Sequence, residues 1–283
     1  MTSPVIQFLN GKFPEAKIDF VTDKRSKDLY VNIPFQGKLF DKNKDGFLRG
    51  APHLMMQLLK IKYDIIVDVR TDGLAYLLRG KKKYTKWNNK NKKNHVVENL
   101  MGVVEELNDK KQIPHTKIWL QESNRKFAND ILKKFDAGKI LAVSVGDIRR
   151  PVKSWEAGKF IELFNRHVND FRGIVFLGNF LDMERTEEVM NQLKLPCLST
   201  IGRGLLDAAA IIEKCSIFLG PDSGLGHVAS AMMTPTISLF SVDRPERCRP
   251  WGNKVKCICG LDDDARNISV DEVSSAVKDF LKE

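Results

Sequence analysis

No stretch of this sequence stays apolar over the roughly 20 residues that a membrane-spanning helix requires. Its start, Met1-Thr2-Ser3-Pro4, also lacks the basic segment and long apolar stretch of a secretory leader, so the expected compartment is the cytosol. Cysteine is sparse. Cys197, Cys215, Cys248, Cys257 and Cys259 are odd in number and irregular in spacing, which argues against a disulfide framework. Cys257-Ile258-Cys259 has no second spaced pair and no histidines near it, so no zinc site is expected. Gly202-Arg203-Gly204 lacks the third glycine of a dinucleotide loop. Asp41-Lys42-Asn43-Lys44-Asp45-Gly46 opens like a calcium loop, but Pro52 stands where a bidentate carboxylate is due. Asp262-Asp263-Asp264 falls in a polar connection and reads as surface rather than as a metal motif. Nothing places Cys248 beside His227 as a nucleophile and base.

What is present is an alternation of short apolar strands and amphipathic helices, with 42% hydrophobic residues, enough for a real core. Strands are expected at 18–21, 63–69, 139–145, 173–178, 216–219 and 235–240. Helices are expected at 54–60, 96–107, 155–167, 185–193, 205–214, 227–233 and 269–281. Strands apolar on both faces, alternating with helices, indicate parallel sheets covered by helices, an α/β class. The 283 residues suit two such units, 1–136 and 137–283.

The formal charge of +10 is concentrated between Lys81 and Lys93, in KKKYTKWNNKNKK. This run reads either as a solvated basic loop or as a patch for a polyanion: nucleic acid, a phospholipid surface or a phosphorylated substrate. Tyr84 and Trp87 suit base stacking or a membrane interface.

Ligands of parallel α/β sheets bind beyond the carboxyl ends of the strands. There the chain places LGPDSGLGH, residues 219–227. Gly220, Gly224 and Gly226 let the backbone turn and approach a ligand closely. A helix starting near Gly224 aims N–H groups back at the loop, a seat for phosphate, to which Ser223 adds a hydroxyl. Asp222 can accept from sugar hydroxyls, and His227 can donate to phosphate or to Asp222. The plainer reading has Asp222 capping the helix and His227 packing on the sheet. At a second strand end, Asp147 to Trp155 brings Arg149, Arg150 and Lys153 to a strand-to-helix turn, where cations and a helix N-terminus suit a diphosphate. Together the two strand ends describe a nucleotide-diphosphate pocket in the second unit.

These residues resemble glycosyltransferase family 9, the ADP-heptose:lipopolysaccharide heptosyltransferases. Asp222-Ser223-Gly224 with His227 matches a D-[ST]-G-x-x-H motif. The small-residue helix Ala229 to Ala231, the strand Pro235 to Phe240 and Pro250-Trp251-Gly252 follow in the family's order. Asp64 to Val69, Lys153-Ser154-Trp155 and Ile268 to Leu281 are weaker echoes. The resemblance implies a GT-B architecture, two Rossmann-like domains with parallel sheets facing a cleft. It implies a glycosyltransferase that moves heptose, or a similar sugar, from ADP-heptose to a lipopolysaccharide core or lipid A-type acceptor. Transfer would proceed with inversion and without metal or other cofactor.

Carried over residue by residue, Asp222 would contact the heptose hydroxyls, and Ser223, Gly224 and Leu225 would serve the diphosphate. His227 would support that loop, Lys153 would neutralise the departing diphosphate, and Glu184 would match the ribose-binding acid. Asp147 stands where the family usually has a small or hydroxyl residue. Family members open with a strand and a Gly-Asp loop before a segment like Met1-Thr2-Ser3-Pro4, so the resemblance implies an N-terminal domain without its first strand. It leaves the catalytic base unassigned. The implied partners are a nucleotide sugar and an anionic glycolipid at the inner membrane surface, not nucleic acid, with the protein cytoplasmic or peripheral to that membrane and its oligomeric state open. The alternative is an inactive family member that binds nucleotide sugar or glycolipid.

Overall fold

The computed structural model describes residues 1–42, 50–70, 73–87, 89, 92–147 and 149–282. Residues 43–46 of the calcium-like segment, Ile148 of the second strand-end loop and residues 88, 90 and 91 of the basic run lie outside the described residues. The chain forms two compact units, Met1–Trp119 and Leu120–Glu283.

In the first unit, α1 (Ser3–Lys12) leads to β1 (Ile18–Asp23) and β2 (Gln36–Lys42). Then come α2 (Gly50–Leu59), β3 (Tyr63–Asp68), α3 (Leu74–Leu77), β4 (Gly80–Thr85) and α4 (Val96–Gly102). Pro4 sits in the first turn of α1, where a missing N–H does no harm and a fixed φ favours the helix. β1 pairs in parallel with β2, and β3 in parallel with β4, as separate two-stranded sheets. β1 and β3 line a common cavity of about 2040 Å³, with Val5, Ile6 and Leu9 of α1 forming part of its wall. Tyr63 Oη donates to Asp19 Oδ2 at 3.0 Å and ties the two pairs together at one end. The core is split. One cluster gathers Val5, Tyr84, Leu100, Met101, Val103 and Val104; the others centre on Ile6, Phe20 and Ile33, and on Leu54, Leu58 and Leu78.

Two expectations change here. The start of the basic run is strand rather than loop: β4 pairs with β3, and Tyr84 is only 6% exposed. Packed with Leu100 and Val104, Tyr84 cannot stack on a base or reach a membrane; Trp87, 68% exposed, can. The helix expected over 96–107 breaks into α4 and a separate 3-10 turn at Glu105–Leu107. The break is at Gly102, where a Cβ would come 2.7 Å from Asn89, whose Nδ2 donates to the Asn99 carbonyl.

The second unit holds α5 (Glu122–Leu132), β5 (Ile140–Val143), α6 (Ala157–Arg166), β6 (Gly173–Phe176), α7 (Met183–Met190) and β7 (Cys197–Ser199). It continues with α8 (Leu205–Lys214), β8 (Ile217–Pro221), α9 (Gly224–Ala231), β9 (Thr236–Phe240), α10 (Pro245–Cys248), β10 (Val255–Cys259) and α11 (Val270–Lys282). α5 lies in sequence before the expected division, yet it packs on α8. Asn124 Nδ2 donates to Asp207 Oδ1 at 2.8 Å, and the Arg125 guanidinium grips both oxygens of Glu213 at 3.0 and 3.1 Å.

Its six strands form one parallel sheet in the order β10-β9-β8-β5-β6-β7. Every residue of β5, β6, β8 and β9 is buried, as expected where helices cover both faces. Trp155, Phe160, Phe164 and Phe176 stack in a file of tilted and edge-on rings beneath α6. Each such ring contributes roughly 1.5–3 kcal/mol by its burial. The chain runs outward from β5 through β6 to β7, then returns to lay β8, β9 and β10 on the other side. The order therefore reverses between β5 and β8, and a crevice opens at their carboxyl ends.

Candidate functional site

The loop after β5 turns at Gly146, whose φ of 81° suits glycine. A Cβ there would come 3.0 Å from Pro221 and 3.1 Å from the Ser154 hydroxyl, so the loop after β5 touches the carboxyl end of β8 at this point. Ser154 Oγ donates to the Asp147 carbonyl at 2.9 Å and closes the loop on itself. The Asp147 carboxylate accepts from the Arg149 backbone N–H at 2.9 Å and from its guanidinium at 2.8–3.2 Å. Those bonds hold the Asp147 pKa down at about 2. Arg149 is thus engaged by its own loop. Lys153 closes the 3-10 turn that follows, and its ammonium pairs with Asp243.

After β8, the Asp222 N–H donates to the Leu239 carbonyl at 2.8 Å and continues the ladder onto β9. Its carboxyl is half-buried. Burial first, then the neighbouring Asp243 charge, push its pKa up, against a downward pull from Lys153. Asp222 does not cap α9. Ser223 occupies the cap position in extended conformation, and its buried Oγ makes no hydrogen bond among the described residues. Gly224, Leu225 and Gly226 form the first turn of α9, and half-buried His227 follows within the same helix. N–H groups of a first turn lack acceptors inside their helix, so this turn presents donors to the strand end.

Lys153 from one loop and Asp222 from the other therefore meet at the reversal point, with the N-terminus of α9 beside them. Over residues 57–275 the sequence matches the family model described as glycosyltransferase family 9 (heptosyltransferase). The chain belongs to glycosyltransferase family 9. It is a glycosyltransferase of GT-B fold. A lipopolysaccharide heptosyltransferase 3 of Escherichia coli is 24% identical over 283 residues, covering 90% of this chain and 83% of that protein. The lipopolysaccharide core heptosyltransferase OpsX of Haemophilus influenzae is 22% identical, covering 88% and 77%. Among solved structures, a family 9 glycosyltransferase of Veillonella parvula superposes with a TM-score of 0.86 at 19% identity, covering 99% of this chain and 92% of that one. Escherichia coli heptosyltransferase WaaC with ADP gives 0.78 at 16%, covering 99% and 95%.

Glu184, expected to reach the ribose, lies exposed in the first turn of α7, beyond the end of β6. Next to it, Phe180 and Leu181 stand 71% and 48% exposed on a 3-10 turn, an apolar rim in an otherwise polar loop. The residue that sequence reading overlooked is Asp243. It follows β9, and it contacts both Lys153 and Asp222. A usable signal was present, since Asp243 follows a strand end just as Asp222 does. It went unread because it sits in the polar stretch Ser241-Val242-Asp243-Arg244 with no motif around it.

Proposed function

We propose that this glycosyltransferase moves heptose from ADP-heptose to the core of a lipopolysaccharide-type acceptor, and that the second unit holds the donor. The observation that carries the reading is the meeting of Lys153 and Asp222 beside the first turn of α9, at the carboxyl ends of β5 and β8.

Departure of ADP puts negative charge on the diphosphate. The Lys153 ammonium and the amides of Gly224 and Leu225 stand where that charge grows, and the backbone amides, held by the helix, need no reorganisation as the bond breaks. Ser223 Oγ adds a hydroxyl donor at the same edge. Asp222 orients the sugar through its hydroxyls, His227 supports the loop, and Glu184 reaches the ribose. Inversion at the transferred carbon and the lack of a metal requirement belong to the same reading.

The acceptor side draws support from the relatives, which are lipopolysaccharide and lipooligosaccharide heptosyltransferases. It draws support also from β4, whose lysines and the neighbouring Trp87 suit a phosphorylated glycolipid at a membrane surface. No helix among the described residues is long and apolar enough to cross a membrane.

The test is calorimetric titration of wild type and Asp222→Ala with ADP and with ADP-heptose. Wild type should prefer the sugar nucleotide, and the variant should bind both alike. A preference that survives the substitution removes Asp222 from the site.

A further inference from the structure

Lys153 carries the nearest cation to the Asp222 loop, and it is already engaged. Its ammonium pairs with the Asp243 carboxylate, which projects from the turn after β9. Asp243 also lies close enough to Asp222 for the two carboxyl charges to act on each other, so groups from three strand ends gather here: Lys153, Asp243 and Asp222. Of two neighbouring carboxyl groups, the more buried one gains proton affinity. Arg247 and Cys248 face the pair from α10, and Cys257 faces Asp222 from β10. Lys153 and Asp243 side chains are 31% and 47% exposed, so water screens the ion pair and it is weak. A dianionic diphosphate with backbone donors behind it outcompetes a single screened carboxylate.

We propose that Asp243 is a positioning residue of the donor site: it holds Lys153 at the mouth of the crevice until an arriving diphosphate displaces it. The inference rests on the donor-site reading above and adds a proton to it. Once displaced, Asp243 loses its cation and faces both Asp222 and the diphosphate. A carboxylate moved from a cation to anions gains proton affinity. Donor binding is therefore coupled to proton uptake at this pair, and affinity rises as pH falls toward the carboxylate range. Burial and the Asp243 charge raise the proton affinity of Asp222, while pairing with Lys153 lowers that of Asp243.

The experiment is titration of the full chain with ADP in two buffers of different ionisation enthalpy, between pH 5.5 and 8, for wild type, Asp243→Asn and Asp243→Ser. Asp243 is exposed, so neither substitution opens the core, and circular dichroism confirms the fold of each. Wild type should take up protons on binding ADP. Both variants should lose most of that uptake and bind ADP about two- to fivefold more tightly at pH 7.5, the scale of one screened ion pair. Equal affinity and equal uptake in all three proteins overturns the proposal and leaves the donor site standing. Weaker binding by the variants also overturns it, since Asp243 would then be holding the ligand itself. Failure of wild type to bind ADP overturns the donor-site reading, and this inference with it.

Discussion

Trp155 Nε1 donates to the Ile268 carbonyl at 2.9 Å, a bond that spans 113 residues and pins the loop after β5 to the segment entering α11. The indole is fully buried, edge-on to Phe160. Trp155→Ala should destabilise the second unit by about 3–5 kcal/mol through loss of apolar contact and the cavity left behind. Trp155→Phe should cost about 1 kcal/mol for the lost bond, because Lys159 Nζ still donates to the same carbonyl. Urea unfolding followed by circular dichroism distinguishes the two. Equal losses would mean that the hydrogen bond, not packing, dominates.

Gly146→Ala places a side chain on a backbone at φ 81° and within 3.0 Å of Pro221. The left-handed conformation costs an alanine about 1–2 kcal/mol. The loop bearing Lys153 touches the strand end that leads into Asp222 here, so ADP binding should weaken along with the melting temperature. A normal ADP affinity in a destabilised variant would show that this contact does not shape the site.

Asp147 should titrate near pH 2, because the Arg149 guanidinium and backbone N–H favour its ionised form. A depressed carboxyl stabilises the folded state above the ordinary aspartate range, and that contribution disappears as pH falls toward 2. Arg149→Ala should move the midpoint upward, part of the way to the ordinary range, since the backbone donor remains. Carbon-detected NMR of the Asp147 carboxyl reads this directly. An unmoved midpoint would assign the depression to the loop backbone alone.

Replacing Lys81, Lys82 and Lys83 by glutamine should raise KM for a phosphorylated lipid acceptor while donor affinity stays unchanged. Each lysine near an anionic surface is worth about 1 kcal/mol, roughly fivefold. Lys81 also pairs with Asp64 at 2.6 Å, so its contribution should be the smallest of the three. An unaltered acceptor KM takes β4 out of acceptor binding.

The second unit was legible because its physics is local. Ile217 to Leu219 and Thr236 to Phe240 are short, apolar on both faces and followed by glycine or polar turns. α8 was read at 205–214, where the structure places it, since its apolar face recurs at helical spacing. The first unit was less legible. β4 carries Lys81, Lys82 and Lys83, residues of poor strand propensity, and it is a strand because β3 offers a partner, not because of its own composition. α1 was not read as a helix, since Met1 to Pro4 was weighed only as a leader and as a segment of the family's opening. Of the site, the pairing of Lys153 with Asp243 was beyond reach, because it depends on how β5 and β9 flank β8 and not on spacing along the chain.

The facing sides of β1 and β3 have a thermodynamic consequence. Each borders the cavity of about 2040 Å³ rather than another strand, and each belongs to a sheet of two strands, a size that is marginal alone. Their amides should lose protection by local opening well before those of the six-stranded sheet. In hydrogen exchange, Phe20 and Ile66 should therefore label under mild denaturant while Val143 and Phe218 stay protected. Unfolding of this protein would then be a two-step event, in which nucleotide recognition outlives the order of the half that precedes it.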